Sequence, residues 1–390
     1  MDRDWRDDYR RIVPVELKFG QFGATNVPRW TNRLRMNSRQ HIRYVTAPDG
    51  TRLACAESGS GPLIVKAANW LTHLEYEWES PIWKHWLQFF SARCRFVRYD
   101  ERGCGMSGWQ DTDLSLDVWA DDLGAVINAA RPTEAFTLLG ISQGAAACIR
   151  YTIRHPERVA RLILYGGYAR GAFNRGRPET AAYRAMIDLA RVAWGHDNPT
   201  FRQVFTSRFI PDGTYEQLRW WNEVCLKSTS GEIAAKLFEA RAVVENTADL
   251  GHVRAPTLVL HARGDQVVGI DEGRFLAANI AGAEFVELDS RNHILLQDEP
   301  AWQRFCEAVQ SFLEPGAAII ASPFAELSVR ERQVLSLMSD GLSNTDIAER
   351  LAISEKTVRN HASNVFDKLG VWSRAQAIVF ARDHGFSSLS

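Results

Sequence analysis

Two kinds of hydrophobic pattern divide the chain. Between His41 and Glu314, short apolar runs alternate with longer amphipathic stretches. Leu63–Ala67, Arg95–Tyr99, Phe136–Leu139, Leu162–Tyr165, Thr257–Leu260 and Glu284–Leu288 are short, mostly apolar runs of the kind that form buried parallel strands. His41–Ala47 and Thr51–Glu57 flank Asp49-Gly50 and predict a hairpin. This grain predicts an α/β fold, a mostly parallel sheet with helices on both faces. Residues 169–250 show no strand pattern and predict a helical cap over the sheet edge, with Trp194, Trp220 and Trp221 in it. Glu314-Pro315-Gly316 closes the region, and residues 316–326 read as a linker. Leu327–Ser390 is a separate all-α unit of four short helical patterns, set apart by single Gly or Ser residues. The expected layout is therefore an extension at 1–40, an α/β domain at 41–315 and a helical domain at 327–390.

Composition narrows the partners. The chain has 390 residues and a formal net charge of −1, so it is not a polycation, and nucleic-acid binding would need a local surface. Residues 1–40 are polar and arginine-rich with little periodicity, as in an extension that packs on the outside or stays mobile. The six cysteines are scattered, with no C-x-x-C pair and no zinc spacing. They are expected to be reduced, with no metal and no cofactor. No signal-peptide pattern and no membrane-length apolar run is present, and a cytoplasmic protein is expected.

Candidate chemistry sits at three predicted strand ends. Phe136–Leu139 runs into Gly140-Ile141-Ser142-Gln143-Gly144 and then three alanines. A strand, G-x-S-x-G and a helix together form a nucleophile elbow, whose tight turn holds the serine exposed and demands small neighbours. A serine needs a base and a group to orient it. Asp265 lies just past Thr257–Leu260, and His293 just past Glu284–Leu288. Ser142, Asp265 and His293 are thus expected together at the carboxyl edge of one sheet.

With these motifs in that order, residues 41–314 resemble the α/β-hydrolase fold family. Asp100-Glu101-Arg102-Gly103-Cys104-Gly105-Met106-Ser107 is similar to its D-x-R-G-x-G-x-S segment, and His293…Asp298…Pro300 to its terminal segment. The resemblance implies a Ser142–His293–Asp265 triad. Where the family often carries His-Gly after the oxyanion strand, this chain has Ala67-Ala68-Asn69-Trp70. Backbone N–H groups of Asn69 or Trp70, with that of Gln143, are the expected oxyanion donors. Lys66 inside that strand and Asn292 before the histidine are further departures. The ligand pocket is expected to include Trp70, Trp194, Trp220 and Trp221.

In the helical domain, Ser328-Val329-Arg330-Glu331 is a capping box. Val334, Leu335, Leu337 and Met338 form the first inward face, Ile347, Ala348 and Leu351 the second, and Val358, Val365 and Leu369 the third. Two short helices, a tight turn and a longer helix make a helix-turn-helix pattern. Residues 327–377 resemble the LuxR-type DNA-binding domain at Arg330-Glu331, Gly341, Ser343-Asn344, Ile347-Ala348, Thr357-Val358, Lys368-Leu369 and Arg374. The resemblance implies that the helix from Ser354 to Leu369 enters the major groove. Lys356, Thr357, Arg359, Asn360, Lys368 and Arg374 are then expected at DNA, with Ser343, Asn344 and Thr345 near phosphate.

The combination implies a one-component regulator that binds double-stranded DNA as a homodimer and a small molecule under the cap. An active serine hydrolase acting on an ester, amide, lactone or carbon–carbon bond is the second reading, and an interaction scaffold the third.

Overall fold

The computed structural model describes residues 39–109, 113–195, 200–315, 324, 326–383 and 386. Residues 1–38 of the expected extension and nearly all of the expected linker lie outside them.

The sheet has eight strands: β1 (His41–Thr46), β2 (Arg52–Ser58), β3 (Leu63–Lys66), β4 (Arg95–Tyr99), β5 (Phe136–Ile141), β6 (Val159–Tyr165), β7 (Thr257–Ala262) and β8 (Glu284–Leu288). Their spatial order is β1-β2-β4-β3-β5-β6-β7-β8. The β1–β2 hairpin is antiparallel, and β2 meets β4 antiparallel; every pairing from β4 to β8 is parallel. The interior strands are covered on both faces: β5 and β7 are buried at every position, whereas the edge strand β1 has exposed positions along its length.

Helices α1 (Leu74–Trp78), α2 (Lys84–Ser91), α3 (Leu116–Ala130) and α4 (Gly144–Arg154) accompany the first five strands. Between β6 and β7 come α5 (Arg177–Ala193), α6 (Thr200–Phe209), α7 (Tyr215–Ser228) and α8 (Gly231–Ala242). Helices α9 (Ile270–Asn279) and α10 (Pro300–Leu313) flank β8 in the sequence. Two buried apolar clusters result. One holds Leu123, Val126, Ile127, Leu138 and Leu164; the other holds Trp86, Phe90, Phe305 and the cap residues Trp194, Trp221 and Phe238. Five of the six cysteines are buried and all are free, as thiols in apolar surroundings should be.

The last four helices are α11 (Val329–Ser339), α12 (Asn344–Leu351), α13 (Glu355–Leu369) and α14 (Arg374–Asp383). Ser328 caps α11 through a reciprocal box with Glu331; Ser343 does the same with Asp346, and the Ser354 hydroxyl accepts the Thr357 N–H. Val334, Leu335, Met338, Ile347, Val358, Val365 and Leu369 make one small core. The turn between α12 and α13 passes through Ala352 at φ 52°, the left-handed conformation that ends α12 and redirects the chain.

Candidate functional site

Ser142 follows β5 directly and has φ 54°, a left-handed backbone that costs a residue with a Cβ about 1–3 kcal/mol. The neighbourhood enforces it. A Cβ on Gly140 would stand 2.5 Å from the Ala145 Cα, and one on Gly144 would stand 2.9 Å from the Ala68 oxygen. The Ser142 N–H donates to the Tyr165 oxygen at 2.9 Å, which ties the elbow to the end of β6. Helix α4 then leaves the turn with Ala145, Ala146 and Ala147 against the sheet.

Asp265 and His293 come from the turns after β7 and β8. The Asp265 Oδ1 accepts the N–H groups of Val267 (2.8 Å) and Val268 (3.0 Å), which leaves Oδ2 for His293 Nδ1 at 2.6 Å. Burial pushes the Asp265 carboxyl up, but the facing His293 and these hydrogen bonds outweigh it and hold the group below the ordinary carboxylate range. The bond at Nδ1 sets the ring so that Nε2 is the other edge. Nε2 is buried and has no partner among the described residues. Gly166, next to the Tyr165 that anchors Ser142, leaves room for this ring: a Cβ there would lie 3.1 Å from His293 Cε1. Such an arrangement can take a proton from a hydroxyl at Nε2 while the carboxylate steadies the imidazolium.

The segment after β3 is built around a charge. Lys66 is buried in the strand, and its Nζ donates to the Asn69 Oδ1. Burial pulls its pKa down to about 8 against the pull of Glu77 and Asp100. Glu77 is itself paired with Arg98 at 2.7 Å, both buried. Asp100 accepts the N–H groups of Met106 and Leu74, and burial raises it to about 6. The Asn69 side chain also donates to the Trp70 oxygen at 3.2 Å. The N–H groups of Trp70 and Gln143 donate to no acceptor among the described residues. Lys66 is thus the holder of the segment that contains two of the expected oxyanion donors.

Above Ser142 lies a cavity of about 580 Å³, mouth included, lined by Trp70, Ser142, Gln143, Phe205, Phe209 and Phe238 among others. Of the four tryptophans expected there, Trp70 lines it and three do not. Trp194 is buried in the cap with its Nε1 donating to the Cys225 and Thr229 oxygens. Trp221 is buried against Phe209, and Trp220 stacks on Tyr76. Helical periodicity says that a tryptophan is inward, not whether inward means core or cavity. The walls also contain Tyr168, Tyr183, Arg175, Arg208 and Arg241, none of which carries a local sequence signal. The cap reaches the histidine as well: the Phe209 oxygen, at the end of α6, accepts the N–H groups of His293 (2.8 Å) and Ile294 (3.3 Å).

On α13, Lys356, Arg359, Asn360, Ser363 and Asn364 are exposed, while Val358, Ala362 and Val365 face the core. Other residues expected at DNA have partners in the fold. Lys368 Nζ bonds the Glu331 Oε2 at 2.7 Å, Arg374 bonds Asn344 and the Leu342 oxygen, and Thr345 bonds Glu355. Ser343 and Thr357 take part in the caps of α12 and α13.

Burial raises the Glu331 carboxyl, but Lys368 and the Ser328 N–H bring it down to about 2 from an ordinary 4.5. A depressed carboxylate adds stability that is present above its unfolded value and lost as pH falls through the folded one. Protection of the α11 and α13 amides, the exchange rate measured against each amide's intrinsic rate at the same pH, is therefore expected to fall between about pH 4.5 and about pH 2. Glu331→Gln should remove that dependence and lower protection at neutral pH; an unchanged acid profile in the variant refutes the assignment.

Residues 86–300 match the family model described as serine aminopeptidase, S33, and residues 325–381 that of the bacterial regulatory proteins, luxR family. An AB hydrolase superfamily protein, YisY, of Bacillus subtilis is 27% identical over 263 residues, 66% of this chain and 94% of that protein. The DNA-binding transcriptional activator DevR/DosR of Mycobacterium tuberculosis is 46% identical over 68 residues, which span 17% of this chain and only 31% of that activator. Among solved structures, the enol-lactonase of Burkholderia xenovorans superposes with a TM-score of 0.57 at 25% identity, covering 70% of this chain and 99% of that one.

Proposed function

The chain belongs to the α/β-hydrolase family and carries a LuxR-type helix-turn-helix DNA-binding domain after it, and on this basis we propose that it is a one-component transcription regulator whose hydrolase-type pocket receives a small molecule. One observation carries the reading: a largely aromatic cavity over Ser142 and an exposed polar helix α13 occur in the same polypeptide. A dimer on DNA follows from surface area, since one module of this size covers few base pairs and specific operators are commonly read by two copies related by symmetry.

The second reading, a serine hydrolase whose turnover is coupled to expression, is favoured by the bonded Asp265–His293 pair and the unpartnered His293 Nε2. The enol-lactonase likeness fits an ester-like bond as substrate. Both readings use one pocket and differ only in whether the bound molecule is cut.

Gel-shift titration of the full chain against fragments of its own genome tests the proposal. Affinity is expected to fall steeply with salt, to change when a cavity ligand is added, and to map by footprinting to a pseudo-palindrome. A chain with no salt-sensitive affinity for duplex DNA, with or without a panel of esters and lactones, is not such a regulator. A single isolated half-site bound by a monomer would remove the dimer.

A further inference from the structure

We propose that the cavity over Ser142 is selective for organic carboxylates, with Arg241 as the group that receives the carboxylate; this rests on the reading of the cavity as a ligand site. Arg241 stands on α8 of the cap and is 3% exposed. Its Nη2 donates to the Glu101 carboxylate, in the segment after β4. The guanidinium also lies over the Trp70 ring, 4.6 Å from its centre. These contacts fix the side chain at the cavity wall and leave donors over: Nε and Nη1 are buried and have no partner among the described residues. Buried donors without acceptors are costly, and donors on a cation more so. A group that persists in that state at the wall of a cavity is built for something that arrives there.

The sign of the visitor follows from the rest of the wall. Arg175 and Arg208 line the same cavity. Arg175 donates to the Arg170 oxygen and lies over the Tyr168 ring; Arg208 donates to the Gln266 oxygen and the Met186 sulfur. Neither has a carboxylate partner among the described residues. Glu101 is matched by Arg241, and Asp265 by His293 and two N–H groups. Three arginines thus line one cavity, with a single acidic partner between them. The remaining walls, Trp70, Phe205, Phe209 and Phe238, are aromatic. The matching molecule carries an apolar or aromatic body and one carboxylate, with any ester or lactone carbonyl set toward Ser142. A planar carboxylate suits a guanidinium and enters aromatic surroundings with less desolvation than a dianion.

The test uses the full-length protein and calorimetric titration with phenylacetate and naphthylacetate beside their neutral amides. The acids are expected to bind at least about 10-fold tighter than the amides, the level of one charge-assisted contact. Because Arg241→Gln alone strands the Glu101 carboxylate in the core, the variant is the pair Glu101→Gln and Arg241→Gln, with Arg175→Gln as an independent second. In the pair the acid preference should fall to about parity while amide affinity is kept. Arg175→Gln should reduce the preference by a smaller factor. Amides binding as well as acids to the wild type overturns carboxylate selectivity and leaves the ligand site standing. A preference that survives the paired substitution overturns the role of Arg241. Failure of every acid and amide to bind overturns both the inference and the pocket reading beneath it.

Discussion

Replacing Ser142 by alanine is expected to abolish labelling by a fluorophosphonate and to lower any ester turnover by ~10⁴-fold or more. The reasoning starts at the backbone. A left-handed φ of 54° between Gly140 and Gly144 lifts the side chain out of the β5–α4 turn into the cavity. Alanine fits the same turn, so the fold is retained and only the oxygen is lost. His293, bonded to Asp265, is the base we propose for that hydroxyl. The experiment separates the two readings of the pocket. If Ser142→Ala locks transcription in one state, bond cleavage is part of the signal. If it leaves a ligand-dependent response unchanged, occupancy alone is the signal. A wild-type chain that ignores the probe while still binding a ligand in the cavity removes the hydrolase.

Removing Lys356 and Arg359 together is the second large effect. Both are exposed on the polar side of α13, and the Arg359 contact to Glu355, 3.6 Å on an exposed helix face, holds it only weakly. A side chain that reads a base edge contributes about 1–3 kcal/mol, so each substitution to alanine should weaken operator binding by about 5- to 150-fold. Specificity at the bases contacted should relax at the same time. The fold should be untouched, because the buried side of α13 is Val358, Ala362, Val365 and Leu369. Wild-type operator affinity in the double variant would place the DNA contact elsewhere.

All eight strands were legible: the six from β3 to β8 as short, mostly apolar runs, and β1 and β2 from the Asp49-Gly50 turn between them. The helix caps of the last domain were legible for a similar reason, being local patterns closed within four residues. Ser142, Asp265 and His293 could be picked out since each follows a strand end, and strand ends are a local signal. The cavity walls could not. Arg241 and Glu101 are 140 positions apart, and neither carries a pattern that announces the other. The three cap tryptophans misled for the same reason: pattern specifies an inward face, whereas the difference between core and cavity is set by how four helices cross. Lys66 was visible as an anomaly, but its bond to Asn69 depends on the loop geometry after β3.

The loop that carries His293 is fastened to the cap at several points. The Phe209 oxygen receives the His293 and Ile294 N–H groups, the Asp212 N–H donates to Asn292, and Arg291 pairs with Asp212 at 3.2 Å. The junction from Phe209 to Asp212 therefore ties the cap to the loop that places the histidine. A displacement of α6 would carry His293 with it, so a change made in the cap to admit a different molecule also bears on the aim of the ring.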